Sequence, residues 1–172
     1  MHIIIDGYNL IRQSGSLSDL DGQELQLGRD ALIEKLAAYK KIKHHRITVV
    51  FDGANAPSFS QRRQSFKGIK IRFSRNGELA DTVIKRMAVK EREMALIVSS
   101  DLDIVNCAES CGAATISSPV FEQKIAMAES MSKSGSKMEE DNSGWIPTTK
   151  KKGPSRRLSK KVRRSMVKIR KL

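Results

Sequence analysis

Short apolar runs divide this chain into predicted strands. Residues 2–5, 47–51, 95–98 and 113–116 are mostly apolar, which is typical of strands buried on both faces of a sheet. Residues 69–73 alternate between apolar and basic side chains, so they predict a strand with one exposed face, which we expect at an edge of the sheet. The most apolar run, 95–98, is expected near the centre.

Apolar residues at helical spacing predict the segments that join these strands. The predicted helices cover residues 23–43, 79–93, a stretch that follows Asp101 and ends at Gly112, and 120–130. Strands that alternate with helices indicate an α/β fold with a mostly parallel sheet. The connection 53–68 is too long and too polar for a simple link, so we expect it to be a functional loop.

The composition changes after residue 131. Residues 132–153 are rich in Ser, Lys, Gly and Glu and lack a core-forming pattern, which predicts a flexible linker. In residues 154–172, apolar side chains recur every three or four positions among Lys and Arg, which predicts a basic amphipathic helix. We therefore expect a domain over 1–131, a linker, and a tail helix that packs on a partner.

Almost all of the formal net charge of +13 comes from the tail. Residues 148–172 hold 7 Lys and 5 Arg and no acidic residue, so the domain itself is nearly neutral. We expect the tail to bind RNA phosphates. The cations predicted to do so are Arg156, Arg157, Lys160, Lys161, Arg163 and Arg164. A solvated tail that aids solubility is the alternative, and an anionic membrane is disfavoured because the apolar stripe has no Trp or Phe.

The two cysteines and the N-terminal segment bear on the compartment. Cys107 and Cys111 are four residues apart, which predicts free thiols on one helix face and a reducing environment. Only three isoleucines precede Asp6, which is too short an apolar run for a signal peptide or a membrane span. We expect a cytoplasmic protein without a membrane partner; its oligomeric state is not predicted.

Four aspartates lie where predicted strands end or a predicted helix begins. Asp6, Asp52 and Asp101 follow apolar runs, and Asp81 lies in the first turn of the helix 79–93. Because the carboxyl ends of parallel strands meet at one edge of a sheet, we expect these acids to converge. Crowded carboxylates repel one another unless a cation compensates them. With no His or Cys at ligand spacing, Mg²⁺ or Mn²⁺ is favoured over Zn²⁺, and such a site suits phosphodiester hydrolysis.

Each of these acids also has a structural explanation. Residues 6–9 are predicted to form a turn after the first strand. Asp6 and Asp101 are placed to cap helices or close turns. Asp52 precedes a glycine, which is an ordinary turn pair. Asp103 is placed for an exposed helix face, and Asn9 either bridges to Asp6 or caps the next segment.

Four segments in this order carry a resemblance to a known family. They are Ile5-Asp6-Gly7-Tyr8-Asn9-Leu10-Ile11, Val49-Val50-Phe51-Asp52-Gly53, Ala80-Asp81-Thr82-Val83-Ile84 and Val98-Ser99-Ser100-Asp101. Over residues 2–130 the chain resembles the NYN domain family, in its YacP-like branch. The resemblance implies a Rossmann-like, PIN-like sheet of five strands in the order 3-2-1-4-5, cleavage of RNA that depends on Mg²⁺ or Mn²⁺, and association with ribosomes.

The resemblance also assigns roles to residues of this chain. It implies that the metal-site acids are Asp6, Asp81 and Asp101, with Asn9, Asp52 and Asp103 as additional polar and acidic groups. One position departs from the family, which often has an acid where this chain has Lys85. Lys85 either weakens metal binding or faces the phosphate.

The connection 53–68 carries cations and aromatic rings that suit RNA. Arg62, Arg63 and Lys67 would clamp phosphates, while Phe59 and Phe66 would stack on bases. The alternative is that the rings hold the loop on the core and the cations are solvated.

Together these features predict a metal-dependent endoribonuclease, with ribosome-associated cleavage of messenger RNA as a specific form. If water is the nucleophile, its products carry 5′-phosphate and 3′-hydroxyl ends. The alternative is a catalytically weakened RNA- or ribosome-binding module of the same fold.

Overall fold

Six strands form a single sheet that has helices on both faces. We describe the protein from a computed structural model, and the residues described are 1–15, 17–19, 24–53, 63–75, 77–133 and 159–172. The strands are β1 (His2–Asp6), β2 (Arg46–Phe51), β3 (Arg63–Phe66), β4 (Ile69–Phe73), β5 (Ala95–Val98) and β6 (Ala114–Ile116). The helices are α1 (Gly7–Gln13), α2 (Leu25–Lys43), α3 (Ala80–Glu91), α4 (Leu102–Ser110), α5 (Ser118–Lys133) and α6 (Lys160–Arg170).

The strand order is β3-β4-β2-β1-β5-β6. All neighbouring strands are parallel except β3 and β4, which are antiparallel. The five parallel strands follow the predicted order, and the α/β class is confirmed. The sheet is larger than predicted by one strand, β3, which lies in the segment expected to be a loop.

The position of β4 was predicted wrongly, because β3 covers the edge that β4 was expected to form. Phe66 pairs with Ile69, so only Lys67 and Gly68 connect the two strands. Both residues have positive φ, 47° and 80°, which is the geometry of the tight turn favoured in two-residue hairpins. Glycine adopts such an angle without strain, so Gly68 makes this turn possible.

The two faces of the sheet bury separate apolar clusters. On one face, Ile3, Ile5 and Val49 pack with residues of α1, α2 and α5. On the other, Ile4 and Ile97 pack against α3 and α4. This arrangement explains why the predicted central runs are apolar at every position rather than at alternate positions.

Helix α1 begins directly after β1, where the sequence predicted only a turn. Gly7 opens this helix in contact with the fully buried ring of Phe51. A Cβ atom at Gly7 would lie 2.3 Å from Phe51 Cε1, which is closer than any side chain tolerates. Tyr8 and Phe73 pack on the same ring, so it has no space to withdraw. Glycine is therefore required where the chain turns from β1 into α1.

The tail forms a helix that packs on the domain's own sheet. Leu172, which follows α6, is only 4% exposed, and its carbonyl oxygen accepts a hydrogen bond from Tyr39 Oη at 3.1 Å. Lys168 Nζ donates to the carbonyl oxygen of Ala95 at 3.4 Å, and Arg164 pairs with Glu93. Since Ala95 begins β5, α6 lies at the edge opposite the carboxyl ends of the strands.

Part of the predicted linker and tail, residues 134–158, lies outside the described residues, and the predicted domain boundaries remain predictions. Among the helices that the structure describes, none is both long and apolar enough to cross a bilayer.

We predict that Gly7→Ala destabilises the protein by about 1–3 kcal/mol, because the new methyl group overpacks the site around Phe51. Alanine is the better helix former, so a loss of stability would identify the steric contact as its cause. Chemical denaturation of both proteins measures the difference. Gly15→Ala is the matched control, since a Cβ at Gly15 meets no atom within 4 Å. Equal stability of Gly7→Ala and the wild type would contradict this explanation.

Candidate active site

Four aspartates line one cavity at the carboxyl edge of the sheet. They are Asp6, Asp52, Asp81 and Asp101, and the cavity volume is about 310 Å³. Asp6 ends β1, Asp52 follows β2 and Asp101 lies beyond β5, while Asp81 comes from the first turn of α3. The structure thus brings together the four acids that the strand ends and the helix start predicted.

Asp6 and Asp101 both cap helices while they face this cavity. Asp6 Oδ1 accepts a hydrogen bond from the Asn9 backbone at 3.2 Å, and its Oδ2 accepts one from Ser99 Oγ at 3.2 Å. Asp101 Oδ1 accepts from the backbone N–H groups of Asp103, at 2.7 Å, and of Ile104, at 3.2 Å. Capping therefore accounts for one oxygen of Asp101, and within the described residues Asp101 Oδ2 has no hydrogen-bond donor.

Asp81 has no comparable structural role. The N-cap of α3 is Leu79, and Asp81 lies two positions further along, in the first turn. Its carboxylate makes neither a hydrogen bond nor an ion pair with another described residue, although it lines the cavity. An acid whose carboxylate has no protein partner and faces a cavity is available to bind a ligand.

The local electrostatics disfavour further negative charge. The pKa of Asp6 is raised from 3.8 to about 6, chiefly because the carboxyl is buried and further because Asp81 and Asp101 are nearby. Hydrogen bonds from the Asn9 backbone and from Ser99 act in the opposite direction. A bound cation would relieve this repulsion.

Asn9 holds the segment that carries Asp101. Its Oδ1 accepts hydrogen bonds from the Ser100 backbone at 3.0 Å and from Ser118 Oγ at 2.8 Å. Ser100 Oγ in turn donates to Gln13 Oε1 at 2.7 Å. The expected bridge to Asp6 is made by the backbone N–H of Asn9. The side chain of Asn9 instead links α1 to the segments where α4 and α5 begin.

Three polar residues of the cavity lining, all on α1, were not predicted from the sequence. They are Tyr8, Arg12 and Gln13. The Arg12 guanidinium lies over the Tyr8 ring, 5.8 Å from its centre. Tyr8 and Arg12 are four residues apart, which places them on one face of a helix. Because the segment was predicted to be a turn, this spacing had no significance at that stage.

Two predicted residues lie beside the cavity rather than in its lining. Lys85 of α3 pairs with Asp103 of α4, and Asp103 has a side-chain exposure of 77%. This hydrogen bond is the main reason that the pKa of Lys85 is raised. Lys85 therefore connects the two helices that carry Asp81 and Asp101.

The loop cations with described side chains also lie elsewhere. Lys67 Nζ binds both carboxylate oxygens of Glu34 at 2.7 Å and lies 5.2 Å from the centre of the Phe66 ring, which is 46% exposed. Arg62, Phe59 and the side chain of Arg63 lie outside the described residues. Lys67 thus contacts α2 and not the acidic cavity.

The tail cations that were predicted to bind RNA and whose side chains are described lie at the opposite edge of the sheet from the acids. They are Lys160, Arg163 and Arg164, all on α6. Arg156, Arg157 and the side chain of Lys161 are outside the part of the chain that the structure describes. Contacts of these cations with RNA remain a prediction.

The donor set suits a hard divalent cation. The cavity offers carboxylate oxygens, and no His or Cys lines it. Within the described residues, no three acidic, histidine or cysteine side chains are grouped closely enough to hold a metal by themselves. Mg²⁺ often keeps several waters and binds through one or two carboxylates and a substrate phosphate, so the residues present fit this mode of binding.

We predict that Asp6 lowers stability as the pH rises. Its raised pKa means that the folded state binds a proton more tightly than the unfolded chain, so its contribution is lost between about pH 4 and pH 6. Asp6→Asn removes this loss while it retains an acceptor for the Asn9 backbone. Relative to the wild type, the variant should gain about 2–3 kcal/mol between pH 4 and pH 7 in denaturation experiments.

Two further variants separate the causes of this shift. Asp81→Asn should lower the pKa of Asp6, because it removes a repulsive charge, whereas Ser99→Ala should raise it further. Carboxyl-carbon NMR titration of Asp6 measures both. Movement of both variants in the same direction would refute this account.

Comparison with known proteins identifies the family. Residues 3–171 match the family described as YacP-like NYN domain. The chain is 33% identical over 86 residues to the "Uncharacterized protein YacP" of Bacillus subtilis (strain 168), a match that covers 50% of each chain. The chain thus spans about half the length of the curated relative it matches.

Solved structures show the same fold. The crystal structure of Rae1 (YacP) from Bacillus subtilis is similar, with a TM-score of 0.67 and 24% identity over 78% of this chain and 79% of that one. A point mutant of that protein gives a TM-score of 0.64, with 24% identity over 77% and 79%. The match along almost the whole sequence and the shared sheet lead to one conclusion: this chain belongs to the YacP-like NYN domain family and has a PIN-like nuclease fold.

Proposed function

We propose that this protein is a metal-dependent endoribonuclease that hydrolyses RNA phosphodiester bonds. The observation that carries the proposal is the convergence of four aspartates on one cavity of a PIN-like nuclease fold. Asp81 is the strongest single support, since its carboxylate lines the cavity and has no hydrogen bond or ion pair with another described residue. Cleavage of messenger RNA on the ribosome is the specific form of this activity that we favour.

In this proposal, Asp6 and Asp101 would hold Mg²⁺ or Mn²⁺ directly, and Asp81 would complete the shell or bind the ion through a water molecule. Asp52 would supply an additional acid at the same cavity. The chemistry that a bound ion supplies is neutralisation of charge at the phosphate and a lowered pKa of a bound water. Asp6 must release its proton to act as a ligand, so we expect metal affinity to rise as the pH increases through about 6.

The chain's own cationic and dipolar groups would bind the phosphate. The Arg12 guanidinium lines the cavity and can donate two parallel hydrogen bonds to phosphate oxygens. Helices α3 and α4 begin at the cavity, and the partial positive charge at a helix N-terminus favours an anion. Asn9 would keep the Asp101 segment in place through its bonds to Ser100 and Ser118.

The second candidate function is an RNA- or ribosome-binding module that has lost catalytic turnover. The pairing of Lys85 with Asp103 favours this alternative, because it places a cation next to the acidic cavity and occupies a nearby carboxylate. Such a protein would bind RNA without cutting it in the presence of divalent metal.

We expect purified protein to cleave single-stranded RNA with Mg²⁺ or Mn²⁺ and to leave 5′-phosphate and 3′-hydroxyl ends. Asp81→Asn and Asp101→Asn should each reduce the rate about 100-fold or more, which corresponds to about 3 kcal/mol of lost transition-state stabilisation. Gel assays with end analysis, with and without ribosomes, measure this. Asp30→Asn on α2 is the control, since Asp30 is exposed and lies outside the cavity. Products with 2′,3′-cyclic ends would exclude hydrolysis by water.

Metal binding can be measured without any substrate. We predict that Mg²⁺ or Mn²⁺ raises the melting temperature of the wild type, because a ligand at 100 times its Kd adds about 2.7 kcal/mol of stability. Asp101→Asn should lose this rise and still fold, since Asn is as good an N-cap as Asp. If the metal leaves the wild type unchanged, the binding module becomes the better explanation.

A further inference from the structure

A basic groove crosses the sheet face that carries α3. It lies between α3 and the β3–β4 hairpin, and its volume is about 430 Å³. Four cations line this groove together with one carboxylate: Arg46, Lys70, Arg72, Lys90 and Glu91. We propose that the groove binds the phosphate backbone of single-stranded RNA that extends from the acidic cavity. This inference rests on the proposed function, because the function supplies the RNA.

The groove exists because the helices do not cover the whole sheet. On this face α3 and α4 pack over β1 and β5, whereas β4 and β3 extend beyond α3. Successive side chains of a strand point to opposite faces. Ile69 and Ile71 of β4 pack in the cluster on the other face, and Lys70 and Arg72 line the groove. The alternating sequence of β4 therefore gives the strand an apolar face towards α2 and a cationic face towards the groove.

The charges of the groove are only partly compensated by protein groups. Arg46 pairs with Glu91 at 2.7 Å. Lys70 and Lys90 are exposed, and neither forms an ion pair with any residue that the structure describes. These two lysines give the groove a positive surface, which attracts a polyanion.

Strand register relates these cations to the acidic cavity. Arg72 pairs with Val50, which pairs with Asp6, so Arg72 lies level with the cavity acid and two strands away, about 10 Å. Lys70 pairs with Thr48, which pairs with Ile4, so Lys70 lies level with Ile4. This level is two residues, or about 7 Å, closer to the amino ends of the strands than that of Arg72.

In the register of β2 and β1, Arg46 lies opposite His2, which is two residues closer to the amino end of β1 than Ile4. The cations therefore descend in regular steps from the acids towards the amino ends of the strands. An extended nucleic-acid strand presents regularly spaced phosphates, which suits this arrangement.

The lining favours backbone contacts over base recognition. The residues described in the lining include no Phe, Tyr or Trp, and the aromatic residue His2 is only 6% exposed, so the groove offers little surface for base stacking. Gln64 and Ser65 add neutral hydrogen-bonding groups beside the cations. We therefore infer binding of single-stranded RNA with little sequence preference, and we favour RNA over an acidic protein because the series begins at the nuclease cavity.

The test is fluorescence anisotropy with labelled oligouridine in EDTA, which permits binding without metal-dependent cleavage. Lys70→Gln/Lys90→Gln should weaken binding about tenfold at low salt and reduce the salt slope by about 1.4, since each single-strand phosphate contact contributes about 0.7. Lys41→Gln/Lys43→Gln, on α2 across the sheet, removes the same charge and should change the affinity by less than about twofold. Lys70→Arg should bind like the wild type, and unchanged melting temperatures exclude misfolding.

Three results would overturn the proposal: no RNA binding by the wild type, no loss in the groove variant, or an equal loss in the control pair. Polyglutamate that binds the groove more tightly than oligouridine would also refute it, in favour of an acidic protein partner.

Cleavage assays with Mn²⁺ keep this proposal separate from the nuclease proposal. If the wild type never cuts RNA, and the groove variant alone binds RNA more weakly, the result would support the groove proposal and refute the nuclease proposal. A wild type that cuts RNA, with a groove variant that binds and cuts equally well, would do the reverse.

Discussion

The burial of a carboxylate beside other carboxylates at the end of the sheet is the constraint on which the candidate site depends. Asp6 is buried, and its pKa is raised by that burial and by Asp81 and Asp101. The fold offsets part of this cost with two donors to Asp6, the backbone N–H of Asn9 and the hydroxyl of Ser99. The remaining repulsion favours any cation that enters the cavity, so the same strain that costs stability prepares the site for a ligand.

The sequence was sufficient to predict the parallel sheet and the grouping of the acids. Runs such as 95–98 are apolar at every position because helices cover both faces of the interior strands, and few other environments select that pattern. Once the strands are parallel, their carboxyl ends must meet at one edge. Asp6, Asp52 and Asp101 then converge without any knowledge of their contacts. This convergence follows from strand direction alone, which chain connectivity determines.

Features that depend on contacts between distant residues could not be predicted. Nothing local to Lys85 indicates that its ammonium pairs with Asp103, 18 residues further on. Helix α1 was predicted to be a turn, and nothing local to Gly7 indicates that contact with Phe51 excludes any other residue there. That error also concealed Arg12. The hairpin β3–β4 did leave a local signal, the Lys67-Gly68 pair, whose significance appears only when the flanking residues are considered as strands.

The distribution of charge changes how the basic tail is understood. Its described cations are held at the amino edge of the sheet by the contacts of Lys168 and Leu172, whereas the acids lie at the carboxyl edge. A helix fixed there cannot contact a phosphate at the acids, which the proposed function requires. The cations that strand register places near the acids are instead those of β4, in a domain whose net charge is close to zero. Net charge therefore identified the tail but not the groove, because a nearly neutral domain can still separate its acids and bases into distinct surfaces.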